Sequence, residues 1–477
     1  MAVKWRYIMK LRKIFALIIC AALILGGCGG AAGAPAENRS TENTAAASQA
    51  SADNSQAKSE AAEASVPEEQ PAAAESTGSS SEGNSDAVEE ASSESSEAAA
   101  ESSASSETSA SSAADASSED GQIPAGIDPP EVPGLTYESY MPLDYAECFE
   151  VYYYNDGYKV IDVPQIGQYL VVPEGKTAPD GLDPEMYVIQ QPLSEVYMAA
   201  TGSVSFFDEL GAMDVLTMSS LDESGWVIEA PIKAMQEGKM VYAGKYSAPD
   251  YEMIVGRGCQ IAIESTMILH SPEVQEMIED LGIPVFIDRC SYELDAFGRI
   301  EWIKAYGAML NLEDVAEERF RNQEAVLADL KDFENTGKTV AFFAVNSNKT
   351  VTVRKTEDFI PNMIELAGGK YIFDDLQNPD STSASVRLSM EEFYSTAVNA
   401  DYLIYNGTIE NPITSIDELI GKNELFKEFK AVKEKNVWVV DKRWYQSTAT
   451  VGYLITDLNL MLTGGDPKDM EFLKKVE

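Results

Sequence analysis

Thiols and imidazoles are the side chains best suited to covalent or metal chemistry, and this chain has only five cysteines and one histidine in 477 residues. The cysteines are Cys20, Cys28, Cys148, Cys259 and Cys290, widely spaced and without a CxxC pair. That spacing indicates neither a zinc site nor a disulfide framework. Cys148, Cys259 and Cys290 read as small buried apolar groups, with a Cys259–Cys290 pair as the alternative. Zinc and manganese sites want several imidazoles, whereas His270 stands alone ahead of Pro272 and reads as a cap or surface residue. Ferric ion held directly by tyrosines and carboxylates is an alternative. No GxSxG elbow, HExxH, P-loop or Cys-His pair is present, so enzymatic chemistry would have to rest on paired carboxylates. The reading is a protein that is not an enzyme and needs no cofactor.

Charge narrows the partners. The formal net charge is -44, which disfavours nucleic acid, since that partner calls for a basic stripe. That charge is shared between the folded part and the stretch from Ala31 to Asp120, where almost every residue is Ala, Ser, Glu, Gly, Asp or Thr and none is aromatic. Such a segment buries too little apolar surface to offset the entropy of ordering and reads as a disordered tether. About 95 flexible residues have an r.m.s. span of roughly 50–60 Å.

Ahead of the tether stands an address. Lys4, Arg6, Lys10, Arg12 and Lys13 precede an apolar run from Ile14 to Leu25, the pattern of a secretory signal peptide. About twelve apolar residues are too few to span a bilayer. The run ends in Leu25-Gly26-Gly27-Cys28, which resembles a bacterial lipobox. That resemblance implies cleavage before Cys28, a lipid on its thiol, and anchorage on the extracytoplasmic face of a membrane that no part of the mature chain spans.

The elements that follow belong to the α/β class. Phe149–Tyr154 and Tyr158–Val163 flank Asn155-Asp156-Gly157, a hairpin signal, and Tyr169–Val172 and Tyr187–Ile189 read as further strands. From Val196 strands alternate with helices, which implies a mainly parallel sheet: strands at Val196–Ala199, Val241–Gly244, Ile261–Glu264 and Pro284–Asp288, with helices at Val204–Leu210, Pro231–Gly238 and from Pro272. Helical patterns at Gly298–Leu310 and Glu313–Phe333 follow, the second making a rod of roughly 30 Å. Alternation then restarts, with strands at Thr339–Phe343, Tyr371–Phe373, Tyr402–Tyr405 and Asn436–Asp441 and helices at Phe359–Leu366, Met390–Ala400 and Val451–Leu462. The expected architecture is two Rossmann-like lobes joined by a single long helix, with an extra β-rich segment at the start of the N-terminal lobe. The expected boundaries are 1–27 signal peptide, 28–130 lipidated Cys and tether, 131–312 N-terminal lobe, 313–335 connecting helix and 336–477 C-terminal lobe.

From Pro192 onward this order resembles the helix-hinged substrate-binding proteins of ABC importers that capture ferric siderophores, haem or vitamin B12. The resemblance rests on Val196–Gly211, on Gly244–Glu252, on Gly282–Asp288 followed by Ser291-Tyr292-Glu293, and most specifically on Asp358–Gly369. It implies a ligand held between the lobes on loops at the carboxyl ends of the strands. Carried onto this chain, those loops supply Thr201, Ser203, Tyr246, Arg289, Tyr292, Arg354, Arg387, Arg443 and Tyr445. Guanidinium forks suit the clustered oxygens of an iron chelate and phenol rings stack on planar ligands. For the arginines the competing reading is a surface salt bridge, and for the tyrosines packing at a sheet edge. The resemblance also implies docking on permease subunits through one glutamate per lobe, here Glu252 and Glu391, either of which could equally be a plain solvated side chain. The implied protein is a monomer carrying an iron-siderophore-type chelate; haem or cobalamin on the same scaffold, or a stalked adhesin or sensor module, are the alternatives.

Overall fold

The computed structural model describes residues 128–326, 328, 330, 333–376, 384–408 and 412–477. The expected signal peptide, the Cys28 lipid site and the tether lie outside the described residues. Among the described residues no helix is long and apolar enough to cross a membrane.

The β-rich segment is a sheet of its own. Strands β1 (Tyr137–Tyr140), β2 (Glu150–Tyr154), β3 (Lys159–Val163), β4 (Gly167–Val172) and β5 (Tyr187–Gln190) lie in sequence order, antiparallel except for the parallel β4–β5 pair. The β2–β3 turn takes positive φ at Asp156 (61°) and Gly157 (84°), a conformation that Asp tolerates and Gly favours. Alternation along the strands fills two cores: Val151, Ile161 and Val171 face the main one, Tyr152, Val160 and Leu170 a smaller one.

Buried charges fasten this sheet to the rest. Glu301 accepts hydrogen bonds from the backbone amides of Asp144 (2.8 Å), Tyr145 (2.8 Å) and Ala146 (2.7 Å). Glu293 accepts from the Cys148 amide and from Trp302 Nε1. Lys159, on β3, donates to Ala308 O, Asn311 Oδ1 and Glu313. Tyr169 reaches sideways, its hydroxyl donating to Val285 O at 3.0 Å and accepting from the Ile287 amide at 3.4 Å.

The second sheet holds β6 (Val196–Met198), β7 (Leu216–Ser219), β8 (Val241–Tyr242), β11 (Ile261–Ser265) and β12 (Val285–Asp288) in the order β12-β11-β6-β7-β8, all parallel. Between β8 and β11, β9 (Gly244–Lys245) and β10 (Ala248–Pro249) form a small antiparallel pair. Gly244 is required there, because a Cβ would stand 2.6 Å from Ala248 O at φ +84°. Helices α1 (Val204–Glu209), α2 (Glu229–Gln236), α3 (Tyr251–Gly256) and α4 (Pro272–Asp280) supply the crossovers. Parallel strands buried on both faces explain the continuous apolar runs at Ile261 and Val285.

Three helices follow: α5 (Ala296–Glu301), α6 (Ile303–Leu310), ended by Asn311 in the left-handed region, and α7 (Glu313–Ala325). The rod expected to reach Phe333 is shorter, 13 residues or about 20 Å. Past Ala325 the backbone tightens to three-residue bonds, Val326 N to Gln323 O and Ala328 N to Ala325 O, and Phe333 lies outside any helix.

The third sheet is mixed rather than mainly parallel. It contains β13 (Thr339–Val345), β14 (Val351–Arg354), β15 (Lys370–Tyr371), β16 (Ser385–Leu388), β17 (Tyr402–Tyr405), β18 (Val437–Val440) and β19 (Leu473–Lys475), in the order β16-β14-β13-β17-β18-β19 with β15 beside β13. Pairs β13–β14, β14–β16 and β18–β19 are antiparallel. Its helices are α8 (Phe359–Leu366), α9 (Met390–Ala397), α10 (Ile416–Lys422), α11 (Lys430–Lys433) and α12 (Gly452–Thr463). One continuous apolar core, from Met141 to Val476, runs through all three sheets.

Candidate functional site

Parallel strands deliver their exit loops to one end of each sheet, and these exits carry most of the candidate residues. After β6 come Thr201 and Ser203, both buried in a short 3-10 turn. The Ser203 hydroxyl donates to Asp288, which also accepts from Tyr306 OH and the Cys290 amide. Ser203 is thus committed to holding the β12 exit. Tyr246 is half-buried against the apolar layer under α3, the packing alternative raised for it.

After β12, Arg289 donates to Pro164 O, a carbonyl of the β3–β4 turn, and its guanidinium lies 5.1 Å from the centre of the exposed Tyr292 ring. The first sheet thereby orients this arginine. Arg354 ends β14, 3.9 Å from the buried Asp358. Burial pushes the Asp358 carboxyl up, while Arg354, the helix-capping bond from the Ile360 amide and Arg299 pull it down. Arg387 is exposed on β16, opposite Thr352. Arg443 is engaged elsewhere: its guanidinium donates to Glu471 Oε1 (2.7 Å) and Glu471 O (2.9 Å), the salt-bridge alternative. Tyr445 is half-buried, and its carbonyl would lie 3.4 Å from a Cβ at Gly202. The two docking glutamates share a setting: Glu252 and Glu391 are exposed in the first turns of α3 and α9, helices capped by Asp250 and Ser389.

The structure brings forward residues that the sequence did not flag. Arg299, on α5, lies 4.0 Å from the centre of the Phe359 ring and donates to Ser291 O. Phe359 in turn stacks on Trp444, centroids 5.9 Å apart at 24°. A cation, a phenyl ring and an indole thus line up across the two halves of the chain. Gln446, 3% exposed, bonds to the backbone of Gly225 and Val227. Among the described residues, Ser220 Oγ, Trp226 Nε1 and Trp444 Nε1 are buried without a partner. The first two follow β7 and the third follows β18, so hydrogen-bond donors lie unused on strand exits of both sheets. A helix-period or strand-period pattern reports none of this.

Other titratable groups serve packing. Glu264, at the end of β11, is fully buried with neither oxygen bonded, and desolvation pushes its carboxyl well above the usual range. No disulfide joins Cys148, Cys259 or Cys290, so the Cys259–Cys290 pair is not formed; burial pushes the Cys148 thiol up to about 12 and Cys259 up to about 11. His270 is exposed, and among the described residues no cluster of His, Cys, Asp or Glu could hold a metal ion. An open groove of about 680 Å³ lies away from the strand exits, between β4–β5 and the end of α4, where Gln168, Tyr187 and Glu279 line it.

Residues 260–444 match the family model described as periplasmic binding protein, a family of binders rather than enzymes. Two uncharacterized lipoproteins of Methanocaldococcus jannaschii are 25% and 22% identical, covering 70% and 67% of this chain and 86% and 80% of their own lengths. A periplasmic binding protein of Veillonella parvula superposes with a TM-score of 0.46 at 17% identity, over 57% of this chain and 91% of that one.

Proposed function

We propose, on the premise that residues 260–444 form a domain of the periplasmic binding protein family, that the chain is the extracytoplasmic binding subunit of an ABC importer. Its cargo on this reading is an oxygen-rich chelate of the iron-siderophore type, taken up between the exits of the second and third sheets. The observation that carries the reading is the meeting of strand exits from both sheets, with an unpartnered indole donor on each side and the Ser220 hydroxyl on one. Acceptor oxygens of a chelate would satisfy those donors, and the half-buried Arg289, Arg299 and Arg354 would meet its negative charge. Tyr292, exposed beside Arg289, offers a ring face for a planar ligand.

Anchorage follows from the N-terminal sequence: a lipid on Cys28 and a tether over 28–130 would hold a monomeric binding domain at the membrane while leaving it free to move. Glu252 and Glu391, exposed on opposite halves of the fold, would then meet basic residues of the permease.

Intrinsic fluorescence tests the ligand class, because Trp226 and Trp444 sit where the strand exits meet. The mature chain is titrated in parallel with a ferric catecholate, a ferric hydroxamate, haem and cobalamin. Saturable quenching by a ferric chelate supports the proposal. Quenching by haem or cobalamin alone moves the ligand within the family, and silence with all four refutes a cleft built for such chelates.

A further inference from the structure

The hydrogen bonds that join the strand exits of the two halves are few and sit together. Gln446, on the exit of β18, donates through Nε2 to Gly225 O at 2.9 Å and accepts through Oε1 from the Val227 amide at 2.8 Å. These two backbone groups flank Trp226. A residue on a parallel strand bonds to its neighbour in the same way, taking the carbonyl before and the amide after one partner residue. The Gln446 side chain therefore stands in for one rung of a parallel ladder between the exit of β7 and the exit of β18. Close by, the Ala449 amide donates to Ser205 Oγ, in the first turn of α1, at 3.0 Å. Between these bonds lies Gly202, where a Cβ would stand 3.0 Å from Thr448 Oγ1. The close approach and the bonds on either side of it form one seam.

The geometry points to a clasp: Gln446 holds the exits of β6 and β7 against the exit of β18 as a cooperative unit, so that the two halves part here only when every bond of the seam releases together. The reason is steric as well as polar. Gly202 lets the loops approach closely between the two bonds, so a movement that parts one bond also pulls this packed contact apart. Gln446 is almost fully buried, so neither half of its amide can turn to water without moving a loop. This device goes beyond the proposed cargo, since it governs how the halves separate whatever is carried. A clasp at these exits would make the opening one-sided, with β6, β7 and β18 at the closed side.

Hydrogen–deuterium exchange on the full-length chain tests the clasp without a ligand. Three amides are read: Val227, whose acceptor is Gln446; Ala449, whose acceptor is Ser205; and Thr339, which bonds Asp401 within the third sheet and serves as reference. In Gln446→Ala, both Val227 and Ala449 should exchange about tenfold faster, the factor that one lost hydrogen bond gives, with Thr339 unchanged. Ser205→Ala removes only the acceptor of Ala449 and should nevertheless speed Val227. Acceleration of only the amide that lost its own acceptor, in either variant, would overturn the clasp and leave two local bonds. Should Gln446→Ala loosen Thr339 as well, the Ser205→Ala chain decides by the same criterion.

Discussion

Glu301 offers the sharpest test of how the first sheet is held. Its Oε1 accepts from the Asp144 amide and from Lys304 Nζ, and its Oε2 from the amides of Tyr145 and Ala146. Glu301 is fully buried, so none of these donors has water as an alternative. In Glu301→Gln the volume is kept but one oxygen becomes an NH₂ group. The better orientation keeps oxygen toward Tyr145 and Ala146 and turns NH₂ toward Asp144 and Lys304, where donor faces donor. Lys304 keeps Glu317 at 2.7 Å, so its loss is partly covered, while the Asp144 amide is stranded. One buried bond to a charged group lost outright, one weakened and one donor unsatisfied sum to about 3 kcal/mol. Urea unfolding of the mature chain measures this, and exchange at the Asp144–Ala146 amides localises it. Glu301→Ala should cost more, because all three amides lose their acceptor. A Glu301→Gln chain within about 0.5 kcal/mol of the parent, the range of ordinary surface changes, would refute the claim that this carboxylate moors the sheet.

Two other substitutions follow from buried groups. Glu264 is protonated more readily folded than unfolded, so its contribution is fully present below the ordinary value of 4.5 and is lost as pH climbs toward its raised folded value. Glu264→Gln removes that loss: the stability difference between variant and parent should grow in favour of the variant from pH 5 to pH 8, and a difference flat with pH would contradict the buried neutral carboxyl. Arg299→Gln removes the cation above Phe359 and should cost about 1 kcal/mol in urea unfolding, with a change in Trp444 emission because Phe359 stacks on that indole; unchanged emission would deny that the three groups act as a stack.

Legibility in the sequence tracked the physics of each element. Strands β11, β12, β17 and β18 announce themselves as short apolar runs because a parallel strand is buried on both faces. The β2–β3 hairpin is legible through Asn155-Asp156-Gly157, and α8 through the segment Asp358–Gly369. Strand β7 escapes notice because Leu216–Ser219 alternates with Thr and Ser, and β14 and β16 because each pairs antiparallel and keeps polar residues on one face. The length of α7 misleads because helix-favouring residues continue past Ala325 while the backbone tightens. At the strand exits, Arg289 and Tyr292 lie together as close neighbours in sequence, but the commitments of Ser203 to Asp288 and of Arg443 to Glu471 join residues far apart in sequence. Gln446 was out of reach for a simpler reason. Its partners are backbone groups, which every residue carries, so no side-chain pattern marks them.

The hydroxyl of Tyr169 has a consequence for how these molecules meet one another. Strand β12 ends the second sheet, and an end strand with open amides and carbonyls is a template on which a neighbouring molecule can add a strand. Here one phenol occupies both the Val285 carbonyl and the Ile287 amide. Tyr187 stacks on that ring at 5.0 Å and keeps it in place. A side chain from one sheet thereby seals the margin of another against self-association, with no extra strand spent on the task.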